Sequence, residues 1–166
     1  MEIAGWLYIR CPDQGVCERL TFWLDEETRP DFEDEAPREE SSWFVPFEGL
    51  DAPEDVTHPS EETLIAGFDW LTDDPRESFE QILGLAGVTK ALWYETDGGE
   101  LSAFYRLEQG RFEPLVSLTP LDDPIQEKRY NSRLSTQQRA RLETLVDEPE
   151  QALLYLAELS EKGDIA

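Results

Sequence analysis

Two glycine turns constrain this chain more than any other feature. Asp97-Gly98-Gly99 separates two runs that alternate in polarity, residues 89–95 and 100–108. Asp-Gly between such runs marks a tight hairpin, because the turn needs positive φ angles that glycine adopts freely. Gln109-Gly110 then turns into a third run, residues 111–118. Strands joined by turns this short lie antiparallel and adjacent. The sequence therefore predicts a three-stranded meander.

The remaining segments supply a sheet and helices for this meander to join. Residues 2–10 (EIAGWLYIR) are aromatic and β-branched and read as a strand, followed by a turn at Pro12-Asp13-Gln14-Gly15. Residues 16–24 fit a helical face through Val16, Leu20, Trp23 and Leu24, or an alternating strand through Val16, Leu20, Phe22 and Leu24; the helix is the preferred reading. Residues 43–47 (WFVPF) read as an edge strand or strand end because of Pro46, and residues 49–59 as a Pro- and acid-rich connection. Residues 63–71 (TLIAGFDWL) predict a strand with a bulge at Gly67. Asp74-Pro75-Arg76-Glu77 supplies a cap, a proline at the first helical position and a glutamate three residues after the cap. With Phe79, Ile82 and Leu83 at helical spacing and Gly87 beyond, it predicts a helix over 75–86. Near the C-terminus Ser135 caps a helix over 136–146, and a second helix covers 148–162, separated at Pro149. The fold class expected is α+β: a mainly antiparallel sheet with helices packed on one face and a C-terminal helical pair. Residues 1–125 form the core domain and 126–166 a helical extension packed on it.

Charge narrows the function. The chain carries 14 basic and 38 acidic side chains, a net −24. Contacts to nucleic-acid phosphates are made by Lys and Arg, and an anionic membrane surface repels a polyanion, so neither is an expected partner. A cationic protein is. Five Trp, five Tyr and eight Phe exclude a disordered acidic tail. No apolar run approaches the ~18 residues of a membrane span. The N-terminal residues lack a secretory leader pattern, so a cytoplasmic protein is expected.

Residues 25–40 are the most acidic stretch, with nine carboxylates among sixteen residues: Asp25, Glu26, Glu27, Asp31, Glu33, Asp34, Glu35, Glu39 and Glu40. Pro30 and Pro37 interrupt it. Such a stretch buries too little surface to offset its ordering entropy, so a solvated, mobile loop over 25–42 is expected. A charge run is ordinarily only a solvated face. Here aromatics flank it: Trp23 before, Phe32 within, Trp43 and Phe44 after. Carboxylates that steer and aromatics that anchor make a protein-binding surface, so the nine carboxylates with Phe32 and Trp43 are the candidate partner-binding residues. The same surface could imitate the spaced charges of nucleic acid.

The catalytic inventory is thin, and no enzyme and no cofactor are expected. His58 is the only histidine and reads as an exposed loop residue. Cys11 and Cys17 have no second pair for a zinc site and read as ordinary thiols. Asp31, Glu33 and Glu35 alternate as in a calcium loop, but the twelfth position is Ser42 rather than Glu. Gly98-Gly99 lacks the Lys-Ser/Thr of a phosphate loop. Lys128, Arg129, Arg133, Arg139 and Arg141 crowd fourteen positions. Internal pairing, with Glu143 and Glu127 as candidate partners, suits them better than nucleic acid.

The opening Gly5-Trp6-Leu7-Tyr8-Ile9-Arg10 resembles the start of the immunity-protein-seven family of bacterial polymorphic-toxin immunity proteins. Ala66-Gly67-Phe68, the capped helix, Gly87 and the strand into Asp97-Gly98-Gly99 are similar to that family's strand–helix–strand plan. Leu107-Glu108-Gln109-Gly110-Arg111-Phe112 and Ser117-Leu118-Thr119-Pro120 continue the likeness to about residue 125. Where the family has a histidine-bearing polar segment, this chain has Asp69-Trp70-Leu71-Thr72, so no role of those histidines carries over. The resemblance implies a stoichiometric inhibitor of a cognate toxin. The resulting expectation is an immunity protein that neutralises a basic effector, such as a nuclease, through its acidic surface. The alternatives are a nucleic-acid mimic that inhibits a DNA-binding protein, and a metal-dependent enzyme using carboxylates.

Overall fold

The computed structural model describes residues 3–24, 53–71, 73–98, 101–119 and 121–165. Six strands run β1 (Ile3–Arg10), β2 (Asp55–Ser60), β3 (Thr63–Leu71), β4 (Lys90–Thr96), β5 (Ser102–Glu108) and β6 (Arg111–Ser117). Five helices accompany them among the described residues: α1 (Gln14–Leu24), α2 (Arg76–Leu85), α3 (Pro124–Asn131), α4 (Thr136–Leu145) and α5 (Pro149–Glu161). The sheet order is β2-β3-β1-β4-β5-β6, with every neighbour antiparallel. The fold is α+β, as the patterning predicts.

β4, β5 and β6 are the expected meander. Gln109 (φ 54°) and Gly110 (φ 81°) form a two-residue turn with positive φ at both positions, the geometry that matches strand twist. In the first turn Asp97 Oδ1 accepts from the Leu101 amide at 2.8 Å, and Gly98 takes φ 82°.

The first four strands follow a stricter rule. β1 connects through α1 to its parallel neighbour-but-one β2, crossing β3; β3 connects through α2 to β4, crossing β1. These crossovers run in opposite directions along antiparallel strands. A half-turn about the sheet normal interchanges them, so a common handedness sets both helices on one face. The result is the βαββαβ arrangement of split βαβ units, extended by β5 and β6.

Each face of the sheet has its own core. On the α1–α2 face, Leu7, Ile9, Leu64, Ala66, Phe68, Trp93 and Tyr105 meet Cys17, Leu20 and Leu24 of α1 and Phe79, Ile82 and Leu83 of α2. On the other, Tyr8, Ile65, Leu92, Tyr94 and Phe104 meet Leu142 of α4 and Ala152, Leu153 and Leu156 of α5. The C-terminal pair therefore covers the face that α1 and α2 leave bare. The strand alternation of period two feeds both cores at once. Ser135 caps α4 with a full capping box to Gln138.

Two irregularities differ from expectation. Gly67 sits in regular pairing between Trp6 and Asp55, not in a bulge. A Cβ there would approach the Trp6 ring at 3.2 Å and Asp55 Oδ1 at 2.6 Å, so the glycine makes room. The register shift falls later, between the Gly5–Phe68 and Ile3–Leu71 pairs, and turns Leu71 onto the α1–α2 core. Gly5 serves the same purpose on the opposite face, where a Cβ would collide with the six-membered ring of Trp93. The α2 helix starts at Arg76, one residue later than its sequence signature; Asp74 Oδ1 accepts from the Arg76 amide at 3.0 Å from outside the helix.

Candidate partner-binding edge

β2 is an edge strand and holds the chain's single histidine. Residues 55–60, expected as connection, pair with β3 at Asp55, Val56, Thr57 and Ser60. Pro59 has no amide to donate and is tolerated because the strand is at the sheet edge. His58 is exposed but tied down: its Nε2 lies 2.9 Å from Thr21 Oγ1 on α1. The Thr21 hydroxyl donates to the Cys17 carbonyl at 2.8 Å, so its proton is committed and His58 Nε2–H is the donor in the second bond. The bonds join edge strand to helix. An open groove of about 460 Å³ runs between them, lined by Gln14, Cys17, Glu18, His58, Ser60 and Glu61.

This edge is acidic. Glu18 of α1, Glu54 just before β2, Asp55 of β2 and Glu61 of the β2–β3 turn are exposed, and none makes an ion pair among the described residues. The segment 25–52 departs from the end of α1 at Leu24 and returns at Pro53, just before β2. The eleven candidate binding residues, Asp25, Glu26, Glu27, Asp31, Phe32, Glu33, Asp34, Glu35, Glu39, Glu40 and Trp43, all fall in that segment and lie outside the described residues, as does the strand expected over 43–47. What the structure fixes is where the segment is anchored: at an edge whose own exposed charge has the same sign. Phe22 is 44% exposed there. Sequence reading missed it as a surface aromatic, although Cys17, Leu20 and Leu24 define the buried stripe of α1 and leave Phe22 off it.

The basic cluster over residues 128–141 is partly neutralised internally. Arg133 clamps Glu108 with two bonds of 2.6 and 3.0 Å and also donates to the Pro114 carbonyl at 3.3 Å. Hydrogen bonding from Arg133 holds the Glu108 carboxyl below its ordinary range. Arg129 pairs with Glu113 at 3.3 Å, and Arg139 with Glu143 at 3.5 Å. Glu143 is thus a partner, as expected. Glu127 is not: it accepts from Asn131 Nδ2 at 2.6 Å and from the Leu121 amide at 3.1 Å.

The reactive groups are quiet. Cys11 and Cys17 are free and buried. Burial, aided by the neighbouring Cys17, pushes the Cys11 thiol up to about 12. Among the described residues no group of three or more His, Cys, Asp or Glu could hold a metal ion, and no helix is long and apolar enough to cross a membrane. The most elaborate polar cluster surrounds Glu95, which is 6% exposed. Trp93 Nε1 donates to Glu95 Oε2 and the Tyr105 hydroxyl donates to Oε1, both at 3.0 Å. Tyr130 of α3 lies 3.1 Å from the Tyr105 hydroxyl, and the Arg76 guanidinium sits 4.3 Å over the Tyr105 ring. Burial and the Tyr130 bond push the Tyr105 hydroxyl upward, so it stays a donor. Both carboxylate oxygens are satisfied, and the cluster joins α2, α3 and the sheet.

Comparison with family models, with curated proteins and with solved structures finds no match.

Proposed function

We propose that this chain is an immunity protein that binds and neutralises a cognate bacterial toxin, a basic effector domain such as a nuclease, in the cytoplasm. One observation carries the reading. The chain's most acidic segment is inserted between the end of α1 and the start of β2, beside the exposed Glu18, Glu54, Asp55 and Glu61, while Arg129, Arg133 and Arg139 each pair with a carboxylate of their own. The sequence thus puts nine carboxylates on a segment anchored at this acidic end. The field of these charges steers a cationic partner to that end and raises association rates toward ~10⁸ M⁻¹s⁻¹ at low salt, against ~10⁵–10⁶ without steering. Phe22, with Phe32 and Trp43 from the segment, supplies aromatic anchors. The likeness of residues 1–125 to the immunity-protein-seven family points the same way.

The test starts from affinity capture of the tagged full chain at moderate salt. The partner must be basic, harmful when expressed alone and silenced by this chain. Stopped-flow association is then measured for the native chain and for a variant with Asp31, Glu33, Asp34 and Glu35 each changed to Lys. The variant should associate at least tenfold more slowly at low salt and lose most of its salt dependence. An unchanged rate would put the interface elsewhere on the molecule.

A further inference from the structure

At the end of the sheet, below the last turn of α5, three cations converge on one face. Arg10 of β1 and Lys90 of β4 are direct register partners, so their side chains leave the sheet together. Arg106 of β5 stands opposite Leu92, two residues along β4 on the same face. Like charges directly opposite across antiparallel strands destabilise the pair. In a chain with 38 acids and 14 bases, this is a costly place for two cations.

The three line a groove of about 250 Å³ between the sheet and α5, whose walls are Tyr8, Leu92 and Ala157. Two of the cations are partly answered. Arg10 reaches Glu161 at 3.2 Å and Glu62 at 3.6 Å. Arg106 donates to Ser160 Oγ at 3.2 Å and lies 3.5 Å from Glu108. Lys90 is exposed, and its side chain has no hydrogen bond or ion pair among the described residues. Glu161 is the single carboxylate in the lining; Glu62 and Glu108 answer Arg10 and Arg106 from outside it, which leaves Lys90 as the cation of the three without a carboxylate among the described residues.

We propose that this groove binds a small organic oxyanion, a carboxylate or a phosphate monoester on a compact apolar body. The oxyanion sits between Lys90 and the two guanidiniums, relieving the Arg10–Lys90 repulsion. The apolar body lies on Tyr8, Leu92 and Ala157. The volume falls below the ~300–1,000 Å³ of sites for drug-sized ligands, which limits the ligand to a small molecule. The site is separate from the acidic edge and independent of the immunity reading.

The experiment is a titration of the full chain, followed by amide proton–nitrogen correlation spectra, with sodium benzoate, phenyl phosphate and, at matched ionic strength, sodium chloride. Benzoate or phenyl phosphate should give saturable shifts at Lys90, Leu92, Arg106 and Ser160, and the tighter of the two identifies carboxylate or phosphomonoester as the source. Lys90→Ala, an exposed change whose own spectrum reports that the fold is kept, should weaken binding at least tenfold. Lys162→Ala removes a cation from the same helix end but outside the groove, where it pairs with Glu158 at 2.6 Å; it should change binding less than twofold. The proposal is overturned by shifts that never saturate, by chloride reproducing them, by Lys90→Ala binding as well as the native chain, or by hexaglutamate peptide saturating these residues when neither small probe does.

Discussion

Replacing Gly5 by Ala adds a single methyl group, and the structure predicts that it is among the most damaging changes the chain can take. The new Cβ would meet Cη2, Cζ2 and Cζ3 of Trp93. Trp93 is fully buried and cannot retreat, with Phe79 at 5.2 Å and Phe68 at 6.1 Å between ring centroids. Overpacking a core costs about 1–3 kcal/mol, and the absence of any slack puts this site at the upper end. Shifting the indole also stretches its bond to Glu95, and losing a hydrogen bond to a charged group costs about 1.5–3 kcal/mol more. The sum, about 3–6 kcal/mol, is a large part of the ~5–15 kcal/mol that holds a domain together. For a chain of this size, about 3 kcal/mol lowers Tm by roughly 6–12 °C. Urea unfolding followed by far-ultraviolet circular dichroism measures the loss. The discriminating step is a double-mutant cycle with Trp93→Phe, because the atoms in the way all belong to the six-membered ring that phenylalanine does not extend so far. In that background Gly5→Ala should cost at least ~1 kcal/mol less than in the native chain. A cost under ~1 kcal/mol in the native chain, or an equal cost in both, refutes the reasoning.

Other perturbations have definite signs. Glu108 is held below its ordinary range by Arg133, so the native state gains stability above the usual carboxylate value of about 4.3 and loses it as pH falls through the lowered native value. Arg133→Gln should remove that part of the acid dependence, and a pH-stability curve of unchanged shape would contradict the assignment. Cys11, raised to about 12 by burial, and the buried Cys17 should react with Ellman's reagent at pH 8 only as fast as the protein opens; rapid labelling in native buffer would show that the thiols are accessible. Gly110→Ala forces a side chain into φ 81° and should cost about 1–2 kcal/mol, whereas Gln109→Asn, at φ 54°, should stabilise by a few tenths, both read from urea midpoints.

Elements announced by local chemistry were legible in the sequence. The meander follows from its two turns, α4 from its capping box, and α2 from its Asp-Pro start, although Pro75 rather than Asp74 is the N-cap and no side chain caps it; these signals act within a few residues. α3 escaped: Asp123 caps it and Pro124 opens it, yet it buries no residue, so no periodicity advertises a helix. β2 escaped for the opposite reason. Its His58-Pro59 reads as a break, and only the neighbouring β3 makes an edge strand of it. The positions of Gly5 and Gly67 depend on which aromatic lies across the strand, which no local rule contains. At the acidic edge the charge and its aromatic flanks were legible from composition alone. The groove at Arg10, Lys90 and Arg106 was invisible, because three isolated cations 16 to 96 positions apart become neighbours only through the β1–β4–β5 register.

The three-layered packing bears on where a partner can dock. In a βαββαβ sheet, one face is covered by its own crossover helices. Here α4 and α5 cover the other, and α3 lies along β6. Both broad faces are spent on the core. Among the described residues the β2 edge keeps unpaired backbone groups, and it is also where segment 25–52 enters and leaves. An unpaired edge ordinarily invites another strand, and charge is the usual means of preventing this. Carboxylates on and beside β2 oppose association with a second copy of this polyanion while favouring a cationic protein. Under the proposed function, the acids that oppose self-pairing at this edge are the same ones a cationic partner would meet. Neutralising Glu54, Asp55 and Glu61 together with Gln or Asn should promote self-association, measured by sedimentation velocity at low salt, as well as slow partner capture. A triple variant that slows capture but remains monomeric at every concentration would separate the two roles and leave the edge strand with partner selection alone.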